Sequence, residues 1–232
     1  MKFRLLILIC LTSAFCARAQ VVTDSLSHHW SPTGTVLSSA GVTLGVSSLY
    51  LQPLHDLDIS LRDWIQADDR PKMHVDNALQ YLPAAGVYAL KLGGVPSAHD
   101  YWGVTKRMAL TYTVVAAVTL SSKYLFVDRV RPDGSASNSF PSGHTATVFA
   151  GAEMLRLEYK NVTPWIGVAG YSIATITGCL RMYNNRHWMT DVLAGAGVGF
   201  LSAQLSYSLN SWMDDCRRPK ELSHSSLPTY CL

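Results

Sequence analysis

Charge is what this sequence has least of. Asp, Glu, Lys and Arg make up 15% of its 232 residues, against roughly 25% in a soluble globular domain. Apolar residues reach 48%. That imbalance points to a membrane protein or a very compact helical one. The net charge is only +3, and no basic cluster is interleaved with aromatics, so nothing argues for a nucleic-acid partner. Cysteine is scarce too. Of five, Cys10 and Cys16 fall in an N-terminal leader, leaving Cys179, Cys216 and Cys231. An odd number closes no complete disulfide framework, and no CxxC or zinc-ligand spacing is present. The period-2 alternation of a sheet protein is missing, as are internal repeats and low-complexity tracts.

What is present begins with the leader. "MKFRLLILICLTSAFCARAQ" has two early basic residues, an apolar stretch from Leu5 to Phe15, and small residues at Ala17 and Ala19. This predicts a signal peptide over 1–19, cleaved after Ala19. Phe15 is too bulky to precede a lipoprotein cysteine at Cys16. Residues 20–215 form the predicted domain, and 216–232 a polar tail.

Six apolar segments follow, at Thr35–Leu54, Leu79–Val95, Met108–Val127, Ser142–Leu157, Val162–Leu180 and Val192–Trp212. They are rich in Ala, Gly, Ser and Thr, as closely packed helices are. The expectation is an all-α antiparallel bundle of about five to six apolar helices, embedded in a membrane. Cys179 is expected to be a small core residue. Between the first two segments, Leu57, Leu61, Trp64 and Ile65 fall at the spacing of a short amphipathic helix.

The polar residues inside these segments are not scattered. Lys123 and Arg131 close the third segment; Ser142, Gly143 and His144 open the fourth. Arg181 ends the fifth, while His187 and Asp191 lead into the sixth. Short connections make consecutive helices antiparallel, so all of these ends meet at one end of the bundle. Two guanidiniums and an ammonium without an acidic cluster suit a highly charged anion, and arginine's fork matches phosphate oxygens. "PSGH" at a helix start adds a hydroxyl, an unhindered backbone N–H and the favourable end of the helix dipole. His187 and Asp191 stand four apart, so on a helix they share a face. The carboxylate would fix the imidazole tautomer and leave the other nitrogen as nucleophile. His144 is then the acid for the leaving oxygen. Tyr183, Asn184 and Asn185 read as turn formers without chemistry.

"KYLFVDRVRP", "PSGH" and "LRMYNNRHWMTD" resemble, in order, the Lys-x6-Arg-Pro, Pro-Ser-Gly-His and Ser-Arg-x5-His-x3-Asp motifs of the type 2 phosphatidic acid phosphatase/vanadium haloperoxidase superfamily. The resemblance implies that His187 attacks phosphorus and forms a phosphohistidine, oriented by Asp191. It implies that His144 protonates the leaving group and that Lys123, Arg131, Ser142, Gly143 and Arg181 bind phosphate, with no metal and no cofactor. This sequence departs from the pattern twice. Seven residues separate Lys123 from Arg131 instead of six, so Lys123 reaches the site only if the helix end or the loop absorbs the extra one, with Arg129 as a substitute. Leu180 stands where the third motif has Ser.

The implied substrate is a phosphorylated membrane lipid: lipid A phosphate first, then undecaprenyl diphosphate, phosphatidylglycerol phosphate or phosphatidate. Basic residues at the far ends of the segments (Lys106, Arg107, Arg156, Lys160, Arg217, Arg218 and Lys220) put those ends in the cytoplasm by the positive-inside rule. The site would then face the periplasm from a bacterial inner membrane. With the signal removed, one of the first two segments does not span, and Leu79–Val95, with Pro83 and Lys91, is the candidate. A mean hydropathy of +0.13 leaves open a soluble periplasmic acid phosphatase of broad specificity, in which Cys216 and Cys231 would pair. A vanadate-dependent haloperoxidase, with His187 on the metal, and a non-catalytic phospholipid-binding protein are the remaining alternatives.

Overall fold

The computed structural model describes residues 31–66, 71–126 and 128–217. Among them lie eight helices and no strand: α1 Pro32–Ser47, α2 Gln52–Ile65, α3 Asp76–Leu79, α4 Leu82–Leu92, α5 Tyr101–Leu125, α6 Gly143–Tyr159, α7 Pro164–Tyr183 and α8 Met189–Arg217. The chain divides into two units, residues 31–206 and a second made of 1–30 with 207–232. The second is described only at 207–217, the last turns of α8. The signal-peptide segment, Cys231 and nearly all of the polar tail lie outside the described residues.

Helix starts follow local chemistry. Ser31 accepts from Gly34 N at 3.2 Å and Asp100 from Gly103 N at 2.7 Å, each satisfying an amide with no partner inside its helix. Pro164 sits in the first turn of α7, where its missing N–H costs nothing. The expected first segment does not run straight. Its chain breaks after Ser47 and resumes at Gln52, with α1 and α2 bent by 98°. Leu51 is extended just before α2, and Pro53 occupies that helix's first turn. The expected second segment shortens to α4, with α3 preceding it.

α6 is the centre of unit 31–206. It packs most extensively on α7, then on α4 and α5. Its Ala146, Val148, Ala150, Ala152, Met154 and Leu157 are all buried, with about 1.5–3 kcal/mol for each large apolar side chain removed from water. Glu153 is buried among them because its carboxylate is saturated. It accepts from Arg156 Nε at 2.7 Å and Nη2 at 2.6 Å, from Tyr171 OH at 2.6 Å, and from Gln204.

Two sequence expectations change here. α5 starts at Tyr101, so Lys106 and Arg107 lie inside a helix instead of before one. Arg107 is buried and turns back onto Gly103 O at 3.2 Å, and Arg156 neutralises Glu153. Neither is a loop cation. Cys179 is exposed, because the buried stripe of α7 runs through Gly167, Gly170, Ala174, Thr177, Gly178 and Arg181.

Glycine decides how closely α8 approaches α6. A Cβ on Gly195 would stand 2.5 Å from Ser142 O, and one on Gly199 would collide with Ala146 O. This approach lets Ser142 N donate to Asp191 O at 3.1 Å. The starts of α6 and α8 are thereby tied together.

Candidate active site

At that tied end a cavity of about 240 Å³ opens. Its lining includes Lys123 from the last turn of α5, Arg131 from the following loop, and Gly143 and His144 from the start of α6. Arg181 from the last turn of α7 and His187 from the turn before α8 complete the convergence. Lys123 reaches the cavity despite the seven-residue gap. α5 ends at Leu125, so the extra residue is taken up in irregular chain, where no helical register has to be kept.

The loop carrying Arg131 is held by backbone. Arg131 N donates to Ala136 O at 2.8 Å and Ser139 N to Arg129 O at 2.9 Å, around a turn where Gly134 has φ of 70°. Gly143 meets nothing within 4 Å of where a Cβ would be, so its backbone faces open space. Positive charge is in excess. Burial first, then the neighbouring Arg186 and Arg181, press the Arg131 guanidinium below its ordinary value. Such crowding is relieved by an anion.

Two expected site residues do not line the cavity. Ser142 is fully buried, and its Oγ is committed to the α6 N-cap, 2.8 Å from Thr145 Oγ1 and 3.5 Å from Thr145 N. Asp191 is also fully buried, behind His187. Its Oδ2 lies 3.8 Å from His187 Nδ1, beyond hydrogen-bond reach. It accepts instead from Ser139 Oγ at 2.5 Å and Trp188 N at 3.1 Å. Ser139 Oγ is in turn 3.4 Å from His187 Nδ1.

Arg129 does not replace Lys123 or Arg131. It is buried on the far side of Asp191, with Nη2 2.6 Å from Asp58 Oδ2 and Nε 3.6 Å from Asp191 Oδ1. Asp58, from the inner face of α2, also accepts from Thr190 N at 3.1 Å and Thr190 Oγ1 at 2.6 Å. The start of α8 is thus fixed from behind by a buried ion pair.

Sequence reasoning missed the cover of the cavity. Asp76 pairs with Arg181 Nη1 at 2.5 Å, and Asn77 Oδ1 lies 2.9 Å from His144 Nε2. Asn184, expected to be a turn former only, lines the cavity. Its Oδ1 accepts from Met73 N at 2.8 Å and its Nδ2 donates to Met73 O at 2.6 Å. Asn185 is the turn residue, with φ of 56°. Lys72, His74 and Arg186 complete the rim. Only the polar run "RPKMHVDN" hinted at this cover, and no spacing tied it to the motifs.

Both histidines are held towards the neutral form. His144 is lowered to about 4, by burial first and then by the Arg181 charge. His187 is lowered by burial, which the Asp191 carboxylate only partly offsets. A neutral imidazole has a free lone pair, and one with a depressed pKa waits for negative charge before taking a proton.

Comparison with known proteins gives concordant results. The chain is 42% identical over 142 residues to a Porphyromonas gingivalis protein named lipid A 1-phosphatase, covering 61% of this chain and 31% of that one. It is 33% identical over 99 residues to a probable diacylglycerol pyrophosphate phosphatase 1 of Schizosaccharomyces pombe, covering 38% and 35%. The matched stretch thus spans about a third of the length of these curated relatives. Two solved structures share the fold at 22% identity. One is Aquifex aeolicus LpxE, with a TM-score of 0.50 over 65% of this chain and 94% of that one. The other is a transmembrane PAP2-type phosphatidylglycerolphosphate phosphatase from Bacillus subtilis, with 0.52 over 80% and 97%. Residues 69–214, which carry every cavity-lining residue named above, match the PAP2 superfamily, and the chain belongs to it.

Proposed function

We propose that this protein is a lipid phosphatase that hydrolyses a phosphate ester through a phosphohistidine on His187. One observation carries the reading: two neutral histidines and the cations Lys123, Arg131 and Arg181 line the same cavity. A cationic lining favours a phosphoryl group and disfavours a divalent metal. Lys123, Arg131, Arg181 and the Gly143 amide bind the phosphoryl oxygens and spread the charge that develops on them. His187 Nε2 forms the N–P bond as the ester P–O bond breaks. The leaving oxygen takes its proton from His144, which gains it when the phosphate charge arrives. Water then attacks phosphorus, His144 recovers a proton, and phosphate is released.

Lipid A 1-phosphate is the lead substrate, supported by the 42% identity with the Porphyromonas protein. Undecaprenyl diphosphate and phosphatidylglycerol phosphate come next. Membrane association is supported by α8, in which Met189–Asp214 is the one unbroken helix among the described residues long and apolar enough to cross a bilayer. Lys106 near the start of α5 and Lys160 after the end of α6 mark the helix ends away from the cavity. By the positive-inside rule this leaves the cavity on the periplasmic side.

The test is phosphate release by the purified protein in mild detergent from these lipids and from p-nitrophenyl phosphate, with His187→Ala as the blank. Release from one lipid, with an acid-labile phosphoenzyme trapped during turnover, is the expected result. Equal release from p-nitrophenyl phosphate would replace the lipid reading with a broad acid phosphatase.

A further inference from the structure

We propose that Ser139 is the positioning residue linking Asp191 to the nucleophile, so that the site works as a His187–Ser139–Asp191 relay; this rests on His187 being the nucleophile. Direct contact between the outer members is not made, since His187 Nδ1 and Asp191 Oδ2 stand 3.8 Å apart. Ser139 Oγ stands to one side of this gap and reaches both, 2.5 Å from the carboxylate oxygen and 3.4 Å from the ring nitrogen.

A serine hydroxyl has one proton to give. At 2.5 Å from an acceptor-only carboxylate, that proton goes to Asp191. Ser139 Oγ can therefore only accept from His187, which places the imidazole hydrogen on Nδ1 and the lone pair on Nε2. The hydroxyl thus sets the tautomer that nucleophilic attack requires.

Ser139 is built to hold this position. It is fully buried, and its backbone N donates to Arg129 O at 2.9 Å beside the Arg129–Asn138 bridge. Asp191 Oδ2 is pinned from its other side by Trp188 N. When the N–P bond forms, the ester oxygen leaves with the proton from His144, and the Nδ1 proton stays on the ring. The positive charge gained by the imidazole is then met by a hydroxyl oxygen that Asp191 polarises. A direct carboxylate contact would do the same, but at 3.8 Å none is made, and the hydroxyl joins the two from the side.

The experiment compares wild type, Ser139→Ala and Ser139→Thr in single-turnover phosphoenzyme formation, steady-state kinetics and thermal unfolding. Imidazole 15N NMR of His187 reports the tautomer. In Ser139→Ala, phosphoenzyme formation should slow by about tenfold or more with KM nearly unchanged, Tm should fall as the buried Asp191 carboxylate loses a charge-assisted hydrogen bond, and the Nδ1–H tautomer preference should be lost. Ser139→Thr, which restores the hydroxyl, should recover most of the rate. Should the added methyl lower Tm, the Ala variant and its NMR spectrum decide alone. An Ala variant with wild-type phosphoenzyme rate and tautomer would overturn the relay, meaning that Asp191 closes onto His187 directly. If wild type forms no phosphoenzyme at all, the nucleophile assignment fails first, and the wild-type control shows it.

Discussion

The Asp76 carboxylate holds the Arg181 guanidinium at 2.5 Å across 105 positions of sequence. Next to it, Asn77 Oδ1 occupies His144 Nε2 at 2.9 Å. Two adjacent side chains of one short helix therefore sit where a phosphoryl oxygen and a leaving oxygen would be received. Asp76→Asn removes the competing charge but keeps an acceptor for Arg181. Inorganic phosphate should then bind about tenfold more tightly, or ~1.4 kcal/mol, read as a lower inhibition constant and a larger phosphate-induced rise in Tm. An unchanged constant would show that Arg181 is not a phosphate ligand.

The histidines predict an acidic optimum. Catalysis needs one proton shared between His144, lowered to about 4 by burial and the Arg181 charge, and the substrate phosphate, whose second pKa is about 6. That state prevails between roughly pH 4 and 6, so kcat/KM should plateau there and fall tenfold per pH unit above. A profile still rising beyond pH 8 would remove His144 as the acid.

Stability should follow the same groups with a definite sign. His144 and His187 are both held below their unfolded value of about 6.5. Above that pH both states are neutral and nothing changes. As pH falls through it, the unfolded chain takes protons that the folded one refuses, and stability declines towards pH 4. Denaturant midpoints from pH 7.5 to 4.5 should drop, and His144→Asn should flatten part of that slope.

The buried Arg129–Asp58 pair supports the α8 start from behind. Arg129→Met leaves Asp58 charged and unpaired in the interior, which costs about 3–5 kcal/mol. Urea unfolding should show this. Adding Asp58→Leu should recover only part of the loss, because Asp58 also accepts from Thr190 N and Oγ1.

Glycine gives a paired comparison. In Gly195→Ala the new methyl meets backbone, Ser142 O at 2.5 Å, and prises α8 from α6. Stability should fall by about 1–3 kcal/mol, and kcat should fall with it as His187 and Asp191 shift. Gly86→Ala, where the methyl makes an ordinary 3.7 Å contact with Leu155, should be neutral or stabilising. Similar losses in both would mean that close helix approach is not what places the site.

The sequence by itself determined the helical class and which helix ends converge. Apolar segments joined by short connections leave few arrangements, and short connections make neighbours antiparallel. Lys123, Arg131, His144, Arg181 and His187 were legible because each interrupts an apolar pattern at one of those ends. Tertiary structure alone decided the rest. Ser139, Asp76, Asn77 and Asn184 carry no periodic signal, lying in loops, at a helix end or in a four-residue helix too short to show one, and only the fold brings them against the motif residues. That the Asp191 carboxylate bonds a serine hydroxyl and not the His187 ring was likewise out of reach. A four-residue spacing sets the face that two side chains share, but the partner each one takes depends on what else is packed there, and here Ser139 takes the carboxylate.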